Sequence, residues 1–164
     1  MQLSSPAVAS SSGASASTAA LPSRFAMRAV AGGQNVSISY RWHDAPSDTK
    51  SFALTLVDTA PVAHDWVHWA VVDISASTTG LAEGASGAPA MPIGSVELEN
   101  SFGSKGYGGP QPPAGTGAHP YVATLYALDV EHVDAPKAPS AAQLEALLVR
   151  HTLARAAFTA YFGR

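Results

Sequence analysis

The chain contains no cysteine and few charged side chains. Without cysteine it can form neither a disulfide nor a cysteine-ligated metal site. Charged residues make up 13% of its 164 residues and the formal net charge is −3, so we expect no nucleic-acid partner. No apolar run approaches the ~18 residues of a membrane-spanning helix, so we also expect no integral membrane contact.

Apolar residues are plentiful at 46% of the chain, which is enough to bury a core. Residues 1–22 are mostly Ser, Ala and Thr, a composition that predicts a disordered tail ahead of a single domain at residues 23–164. The first basic residue is Arg24, and serines interrupt the apolar positions before it, unlike an export signal. We therefore expect a cytoplasmic protein, with a periplasmic or exported one as the alternative.

Most of the remaining chain has the alternation and the β-forming residues of strands. Strands are predicted at residues 36–40, 51–58, 66–74 and 121–129, with a shorter one at 95–98. Strict alternation along 66–74 places His68 on one face with Ala70 and Val72. The stretch 51–58 is almost wholly apolar, which favours a central position in a sheet.

The last segment alone has helical spacing. Ser140 and Gln143 have the pattern of a capping box, and a stripe of apolar residues follows as far as Tyr161, before Gly163. We therefore predict a C-terminal helix over this whole segment, with His151 on its buried side. Strands followed by one closing helix indicate a mainly β domain rather than a βαβ repeat.

Residues 106–121, GYGGPQPPAGTGAHPY, form a loop dense in Gly and Pro. Proline stiffens such a loop, while glycine allows close backbone approach to a ligand. The glycine N–H groups can line a concavity that binds an anion. The glycines concerned are Gly106, Gly108, Gly109, Gly115 and Gly117. The alternative interpretation is a surface loop in which Gly and Pro serve only as turn residues.

Chemically active side chains flank this loop and two of the predicted strands. Asp58 ends one strand, His68 lies within the next, and His119 and Tyr121 follow the loop. Each has a structural alternative: Asp58 as a turn acceptor, His68 as a core histidine, and His119 as the first residue of a strand. The two histidines and Asp58 are also the ligand types of a zinc or iron site, although their spacing matches no compact metal motif. No serine-nucleophile or phosphate-loop signature occurs. Three further histidines, His43, His64 and His132, lie in polar turns and are interpreted as solvated side chains.

Several motifs follow one another in a defined order along the chain. They are GQNVSISYRW, SFALTLVD, TAP, WVHWAVV, NSFG and GYGGPQPPAGTGAHPYV, with LLVRHTLARAAFTAYF at the end. In this order, from about Phe25 to the C-terminus, they resemble the phosphatidylethanolamine-binding protein family, in particular its bacterial Raf-kinase-inhibitor-like branch. The resemblance implies a β-sandwich fold with a C-terminal helix, long Gly/Pro-rich loops and a small anion-binding pocket at one end.

The resemblance also implies which residues contact the ligand. Asp58 matches the first Asp of the family's D-P-D-A-P segment, and His68 matches the His of its H-W strand. Pro112 matches the Pro of its G-x-P-P-x-G loop, and the family's H-R-Y segment corresponds to His119 and Tyr121. With a loop amide added, the predicted ligand-binding residues are Asp58, His68, Gly109, Pro112, His119 and Tyr121.

The sequence departs from the family pattern at three positions. The second Asp of D-P-D-A-P is missing, the Arg of H-R-Y is Pro120, and the Asp of N-D-F-G is Ser101. Our hypothesis is that one acid and the base form an ion pair in relatives and were lost together, because removing one partner leaves an unpaired charge. The lip of the pocket should therefore be less polar in this chain.

These residues predict a binding module rather than an enzyme. A small anion such as phosphate or phosphoethanolamine would lie over His68 and His119, with Tyr121 and loop amides as further donors. Asp58 would accept a histidine N–H and favour the imidazolium form. Because histidine ordinarily titrates near ~6.5, anion binding should strengthen as the pH falls below neutrality.

The resemblance further implies a protein partner, a kinase or a protease, whose acidic or phosphorylated side chain would enter the pocket. The alternative function is a metal-dependent or acid–base enzyme that uses Asp58, His68 and His119. No cofactor is predicted, and we expect a monomer or a homodimer.

Overall fold

The computed structural model describes residues 1–8 and 19–164, and these residues form two antiparallel sheets. The strands are β1 (Gln2–Ser4), β2 (Tyr40–His43), β3 (Ser51–Asp58), β4 (Trp66–Ser75), β5 (Gly80–Leu81), β6 (Val96–Glu97), β7 (His119–Leu128) and β8 (Thr152–Phe162). The small sheet has the order β1-β2-β5, and the large sheet has the order β6-β4-β3-β7-β8. One helix, α1 (Ala141–Leu148), lies between β7 and β8 in the described chain. The mainly β prediction is confirmed.

The main core lies between the two sheets. Tyr40 and Trp42 of the small sheet pack in one cluster with Phe52, Trp69 and Leu125 of the large sheet. A second cluster lies on the opposite face of the large sheet, where Leu144 and Leu148 of α1 pack against Ala53, Val72 and Tyr126. The large sheet is therefore covered on both faces along part of its length, which explains why β3 is apolar at nearly every position.

The register of β4 is irregular at His68. Leu56 is opposite Trp69, but the next residue, Val57, is opposite Val67, so His68 is an extra residue in β4. This β-bulge breaks the predicted alternation. Ala70 and Val72 pack in the second cluster, whereas the His68 ring contacts Tyr121 of the main core, with ring centroids 5.1 Å apart. The prediction that His68 shares a face with Ala70 and Val72 is wrong, and the bulge is the reason.

The beginning of the chain is more ordered than its composition predicts. Gln2–Ser4 forms β1 and pairs with Arg41–His43 of β2. Further on, Leu21 N–H donates to the Tyr161 carbonyl and Tyr161 N–H donates to the Ala19 carbonyl. The predicted tail is therefore wrong for these stretches, because backbone pairing with a sheet orders even small polar residues. Residues 9–18 of that prediction lie outside the described residues.

The strand predicted at residues 36–40 begins only at Tyr40. The residues before it bond elsewhere: Val36 N–H donates to the Arg24 carbonyl, and the Ser37 carbonyl accepts the N–H of Gly84. These backbone groups tie the N-terminal segment to a later loop, which keeps them out of the ladder of the small sheet.

The C-terminal helix begins as predicted and ends much earlier. The Ser140 hydroxyl accepts from Gln143 N–H, and the Gln143 side chain accepts from Ser140 N–H, which completes the capping box. The helix ends at Leu148, and β8 then pairs with β7 along its length. The predicted continuation to Tyr161 is wrong. His151 is not buried either, because its Nδ1 contacts the Asp129 carboxylate with the histidine side chain 40% exposed.

In the part of the chain that the structure describes, no helix has both the length and the apolar character needed to cross a membrane.

Candidate functional site

A cavity of about 510 Å³ opens at one end of the large sheet. Asp58, the last residue of β3, is opposite Trp66 of β4 on one side and Tyr121 of β7 on the other. Because the pairing is antiparallel, the last residue of β3 and the first residues of β4 and β7 lie together at the same end of the large sheet. The residues that line the cavity are Asp58, Val62, Ala63, His64, Trp66, His68, Phe102, Gln111, Pro112, Pro113, His119 and Tyr121. The predicted site residues meet here, with the exception of Gly109.

Asp58 and His119 form a buried pair on the floor of the cavity. Asp58 Oδ2 lies 2.7 Å from His119 Nδ1, and the two side chains are 5% and 2% exposed. The second carboxylate oxygen, Oδ1, accepts the N–H of Ala60 at 3.0 Å. Asp58 therefore has both of the roles considered from the sequence: it accepts from a histidine, and it holds the turn after β3.

The other nitrogen of His119 also has a partner. His119 Nε2 lies 2.8 Å from Thr116 Oγ1, and that hydroxyl donates its proton to the Pro113 carbonyl at 2.7 Å. Asp58 and Thr116 therefore occupy both nitrogens of His119, and the ring has no free N–H for a ligand.

His68 has one occupied nitrogen and one available nitrogen. A carbonyl can only accept, so His68 Nδ1 donates to the Gly108 carbonyl, 2.6 Å away. The ring packs edge-on against Phe102 and Tyr121, with centroids 5.5 and 5.1 Å away. Burial lowers the pKa of His68 below its ordinary value, and the Gly108 carbonyl and the Asp58 charge only partly oppose this effect. His68 is therefore neutral at pH 7, and Nε2 carries a lone pair.

Tyr121 places an unpartnered hydroxyl at the same end of the sheet. The residue is 1% exposed, and its buried hydroxyl has no hydrogen-bond partner among the described residues. Burial is the main cause of its raised pKa, and the negative charge of Asp58 raises the pKa further. The phenol keeps its proton and remains a donor. A buried polar group without a partner is rare in a folded protein and calls for an explanation.

Four of the five glycine amides of the Gly/Pro loop, those of Gly106, Gly108, Gly109 and Gly115, are bonded within the protein rather than free for an anion. Gly109 N–H donates to Asn35 Oδ1 at 2.7 Å, and Gly108 N–H donates to the His68 carbonyl at 2.8 Å. The amides of Gly106 and Gly115 are also bonded, to the carbonyls of Leu98 and Arg164. For these amides the prediction is wrong, because the loop uses them to fix its own shape.

Gly109 is required for packing rather than for a ligand. A Cβ atom at this position would lie 2.1 Å from the Phe25 carbonyl oxygen, so only glycine allows the loop to approach the N-terminal segment this closely. The close approach positions the neighbouring Gly108, whose carbonyl accepts from His68. Gly109 therefore supports the site from outside the cavity.

Apolar side chains surround the mouth of the cavity. Val62, Trp66 and Phe102 line it and remain 50%, 38% and 36% exposed. The rings of Trp66 and Phe102 meet edge to face with centroids 5.3 Å apart. This arrangement agrees with the hypothesis of a less polar lip. Exposed apolar groups clustered around a pocket are typical of a binding surface.

Sequence reasoning missed several residues of the site. Thr116 lies in the loop between two glycines, and nothing in the sequence shows that it reaches His119. His64, interpreted as a solvated turn residue, is exposed but lines the cavity. Asn35 has a signal: it lies in the GQNV motif, and its left-handed φ of 56° is one that Asn adopts more readily than most residues.

The geometry gives no support to a metal centre on Asp58, His68 and His119. Among residues 1–8 and 19–164, no three His, Asp or Glu side chains are grouped so as to hold a metal ion. Asp58 and His119 bond to each other through Nδ1, and His68 Nδ1 is bonded to a carbonyl.

The fold and the site together define a class: a two-sheet β protein with one partly polar cavity at the end of its large sheet. The chain belongs to the phosphatidylethanolamine-binding protein family, whose family model matches residues 11–163. The family resemblance seen in the sequence motifs is confirmed.

Relatives of the bacterial branch cover most of the chain. The UPF0098 protein YbhB of Escherichia coli is 41% identical over 80% of this chain and 84% of its own length. The UPF0098 protein YbcL of the same organism is 37% identical over 77% of this chain and 71% of its own. The crystal structure of Escherichia coli YbcL, described as a new member of the mammalian PEBP family, superposes with a TM-score of 0.86 at 30% sequence identity. That match covers 99% of this chain and 98% of the other.

Proposed function

We propose that the cavity binds a small anion, with Tyr121 and His68 as the donors. The observation that carries the proposal is the Tyr121 hydroxyl, which is buried and unpartnered beside the cavity. An anion bound there would supply the missing acceptor. Both oxygens of the Asp58 carboxylate already have donors, His119 Nδ1 and the Ala60 N–H, which reduces the repulsion of an anion by Asp58. The family to which the chain belongs supports a ligand with an anionic head group.

Binding at His68 requires a proton. The neutral ring presents a lone pair at Nε2, which repels an anion, whereas the protonated ring presents an N–H. Besides His68, the titratable groups that line the cavity are Asp58, His64, His119 and Tyr121, and the Arg164 guanidinium donates to the carbonyl of the lining residue Pro112. Of these, Asp58 favours the protonated form of His68 and His119 opposes it. Anion binding and proton uptake at His68 are therefore linked, and affinity rises as the pH falls below ~6.5 toward the lowered pKa of this residue.

Calorimetric titration with acetate tests this linkage. We expect tighter binding at about pH 5.5 than at about pH 7.5, with uptake of up to about one proton per anion at the higher pH. Titrations in two buffers of different ionisation heat measure the proton directly. His68→Gln should abolish both the uptake and the pH dependence. The matched control is His132→Gln, because His132 is 83% exposed and does not line the cavity.

Equal affinity of the unmodified protein at both pH values, with no proton taken up, would contradict binding through His68. A kinase or protease partner remains a prediction. It is tested by capturing such a partner with the unmodified protein and with the His68→Gln variant, which should capture less if the cavity is the contact.

A second candidate function is acid–base catalysis, and one observation favours it. Thr116 Oγ1, His119 and Asp58 follow one another at 2.8 and 2.7 Å, in the order hydroxyl, imidazole, carboxylate that hydrolases use. We rank it second because the Thr116 hydroxyl donates to the Pro113 carbonyl and Thr116 is not a lining residue. Hydrolysis of an activated acetyl ester, measured for the unmodified protein and for Thr116→Ala, distinguishes the two. Turnover that disappears in the variant would favour the enzyme.

A further inference from the structure

We propose that the cavity selects a singly charged anion that carries an apolar group, such as an aromatic carboxylate, over a doubly charged phosphate. The inference rests on the proposed anion site and concerns the chemical class of its ligand. Two independent features support it: the count of positive charges around the cavity, and the apolar character of its mouth.

Among the side chains that line the cavity, His68 is the one that can offer a ligand a positive charge. The Arg164 guanidinium lies outside the lining, where its Nε donates to the Pro112 carbonyl. Among the lining residues, all of which lie in the described chain, there is no Lys or Arg. Both nitrogens of His119 are occupied, by Asp58 and Thr116, so this ring has no N–H free for a ligand. His64 is exposed at the mouth, where water and salt screen its charge. Only the protonated form of His68 remains to balance the ligand.

A second negative charge would therefore enter the cavity without compensation. A phosphate monoester loses its second proton near ~6, so it carries close to two charges above neutral pH. The Asp58 carboxylate lines the same cavity, and the repulsion that its bonded oxygens still exert is twice as large for a doubly charged ligand as for a singly charged one. A buried charge that lacks a partner is strongly unfavourable. A carboxylate keeps one charge over this whole range and avoids the conflict.

The mouth of the cavity favours a ligand with an apolar group. Its volume of about 510 Å³ is far larger than acetate or phosphate needs. The walls above His68 are the rings of Trp66 and Phe102, joined by Val62 and two prolines, Pro112 and Pro113. Burial of an aromatic group against these walls would remove apolar surface from water on both sides. The anionic end would reach His68 and Tyr121 while the apolar end fills the mouth.

Four probes separate charge from apolar contact: acetate, phenylacetate, inorganic phosphate and phenyl phosphate. Their affinities are measured by calorimetry, and the ¹⁵N resonances of His68 report binding at this ring. At about pH 7.5 we expect phenylacetate to bind at least ~10-fold more tightly than acetate, and about 10-fold more tightly than phenyl phosphate. Near pH ~5.5, where phenyl phosphate is mostly a monoanion, its affinity should approach that of phenylacetate.

A charge-adding variant provides the complementary test. Gln111 lines the cavity, and Gln111→Arg adds a second positive charge there. We expect this variant to raise the affinity for phenyl phosphate relative to phenylacetate by at least ~5-fold at about pH 7.5. Gln34→Arg is the matched control, because Gln34 is exposed and is not a lining residue, and it should leave the ratio unchanged.

The outcomes separate the two proposals. Phenyl phosphate that binds the unmodified protein as tightly as phenylacetate at about pH 7.5 would overturn the charge selection and leave the anion site in place. Acetate that binds as tightly as phenylacetate would overturn the role of the apolar mouth. If none of the four probes binds or shifts the His68 resonances, the anion site itself fails and the selectivity falls with it.

Discussion

The cavity contains two histidines in contrasting surroundings. His119 is held by a carboxylate and a hydroxyl, so both of its nitrogens have partners within the protein. His68 is held by a carbonyl alone, and its buried ring has a lowered pKa. The same side chain is therefore held at both nitrogens in one place and keeps one nitrogen free for proton exchange in the other. The acceptor on Nδ1, carboxylate or carbonyl, makes the difference.

The contrast predicts that only the Asp58–His119 pair makes a large contribution to stability. Asp58→Asn keeps the shape of the side chain but removes the carboxylate that accepts from His119 Nδ1 in this buried pair, and we expect a loss of about 3 kcal/mol in the free energy of unfolding. The control is Asp129→Asn. Asp129 also contacts a histidine Nδ1, that of His151 at 3.1 Å, but both side chains of this pair are substantially exposed. That change should cost less than about 1 kcal/mol by denaturant unfolding. Similar losses for the two variants would show that burial of the pair is unimportant.

His68 should make stability depend on pH in mildly acidic solution. Its pKa is lower in the folded protein than in the unfolded chain, so the unfolded chain binds more protons just below ~6.5. Stability is therefore fully present above this pH and is lost as the pH falls, with a slope of at most about 1.4 kcal/mol per pH unit for one proton. His68→Gln should remove this component, and His132→Gln should retain it. A slope unchanged by His68→Gln would show that the ring is not desolvated.

The link from Thr116 to His119 should have a measurable but smaller effect. Thr116→Val removes the hydroxyl from His119 Nε2, and we expect a loss of about 1 kcal/mol. Thr49→Val is a close control. The Thr49 hydroxyl donates to the carbonyl of Pro46, three residues earlier, and the Thr116 hydroxyl donates in the same way to the carbonyl of Pro113, both at 2.7 Å. The difference between the two variants isolates the histidine contact. No difference, together with unshifted His119 ring resonances, would remove Thr116 from the site.

The smallest effect concerns the ring that shields His68. Phe102→Ala should admit water beside the imidazole, and because burial is the main cause of the lowered pKa, the pKa of His68 should rise toward its ordinary value. Phe102→Leu keeps an apolar side chain there and should preserve most of the shift. Titration of the ring by NMR measures both. An unchanged pKa in Phe102→Ala would mean that other walls exclude the water.

The sequence predicts which site residues lie close together better than it predicts their hydrogen-bond partners. Asp58 ends a strand, a short turn follows, and His68 lies near the start of the next strand, so antiparallel pairing brings them close. His119 and Tyr121 then begin β7, which pairs with β3. The glycine pattern, by contrast, shows only that amides are present. Whether Gly109 N–H points to a ligand or to Asn35 depends on tertiary contacts that the pattern does not contain.

The two errors of periodicity have different physical origins. At His68 a β-bulge inserts one residue, and a bulge leaves no signature in the alternation of residue types. The sequence of β8 is rich in Ala, and its apolar residues fit the spacing of a helix as well as that of a strand. Ladder pairing along β7, from Leu128 opposite Thr152 to His119 opposite Phe162, overrides the local helical preference.

The pairing of Ala19 and Leu21 with Tyr161 has a consequence for processing of the chain. β8 is the outermost strand of the large sheet, and these two residues satisfy the backbone groups of Tyr161 on its outer side. A protease that trims the chain beyond Leu21 would uncover those groups and leave them able to recruit a strand from another molecule. Residues at the beginning of the chain thus protect an edge strand formed by its end.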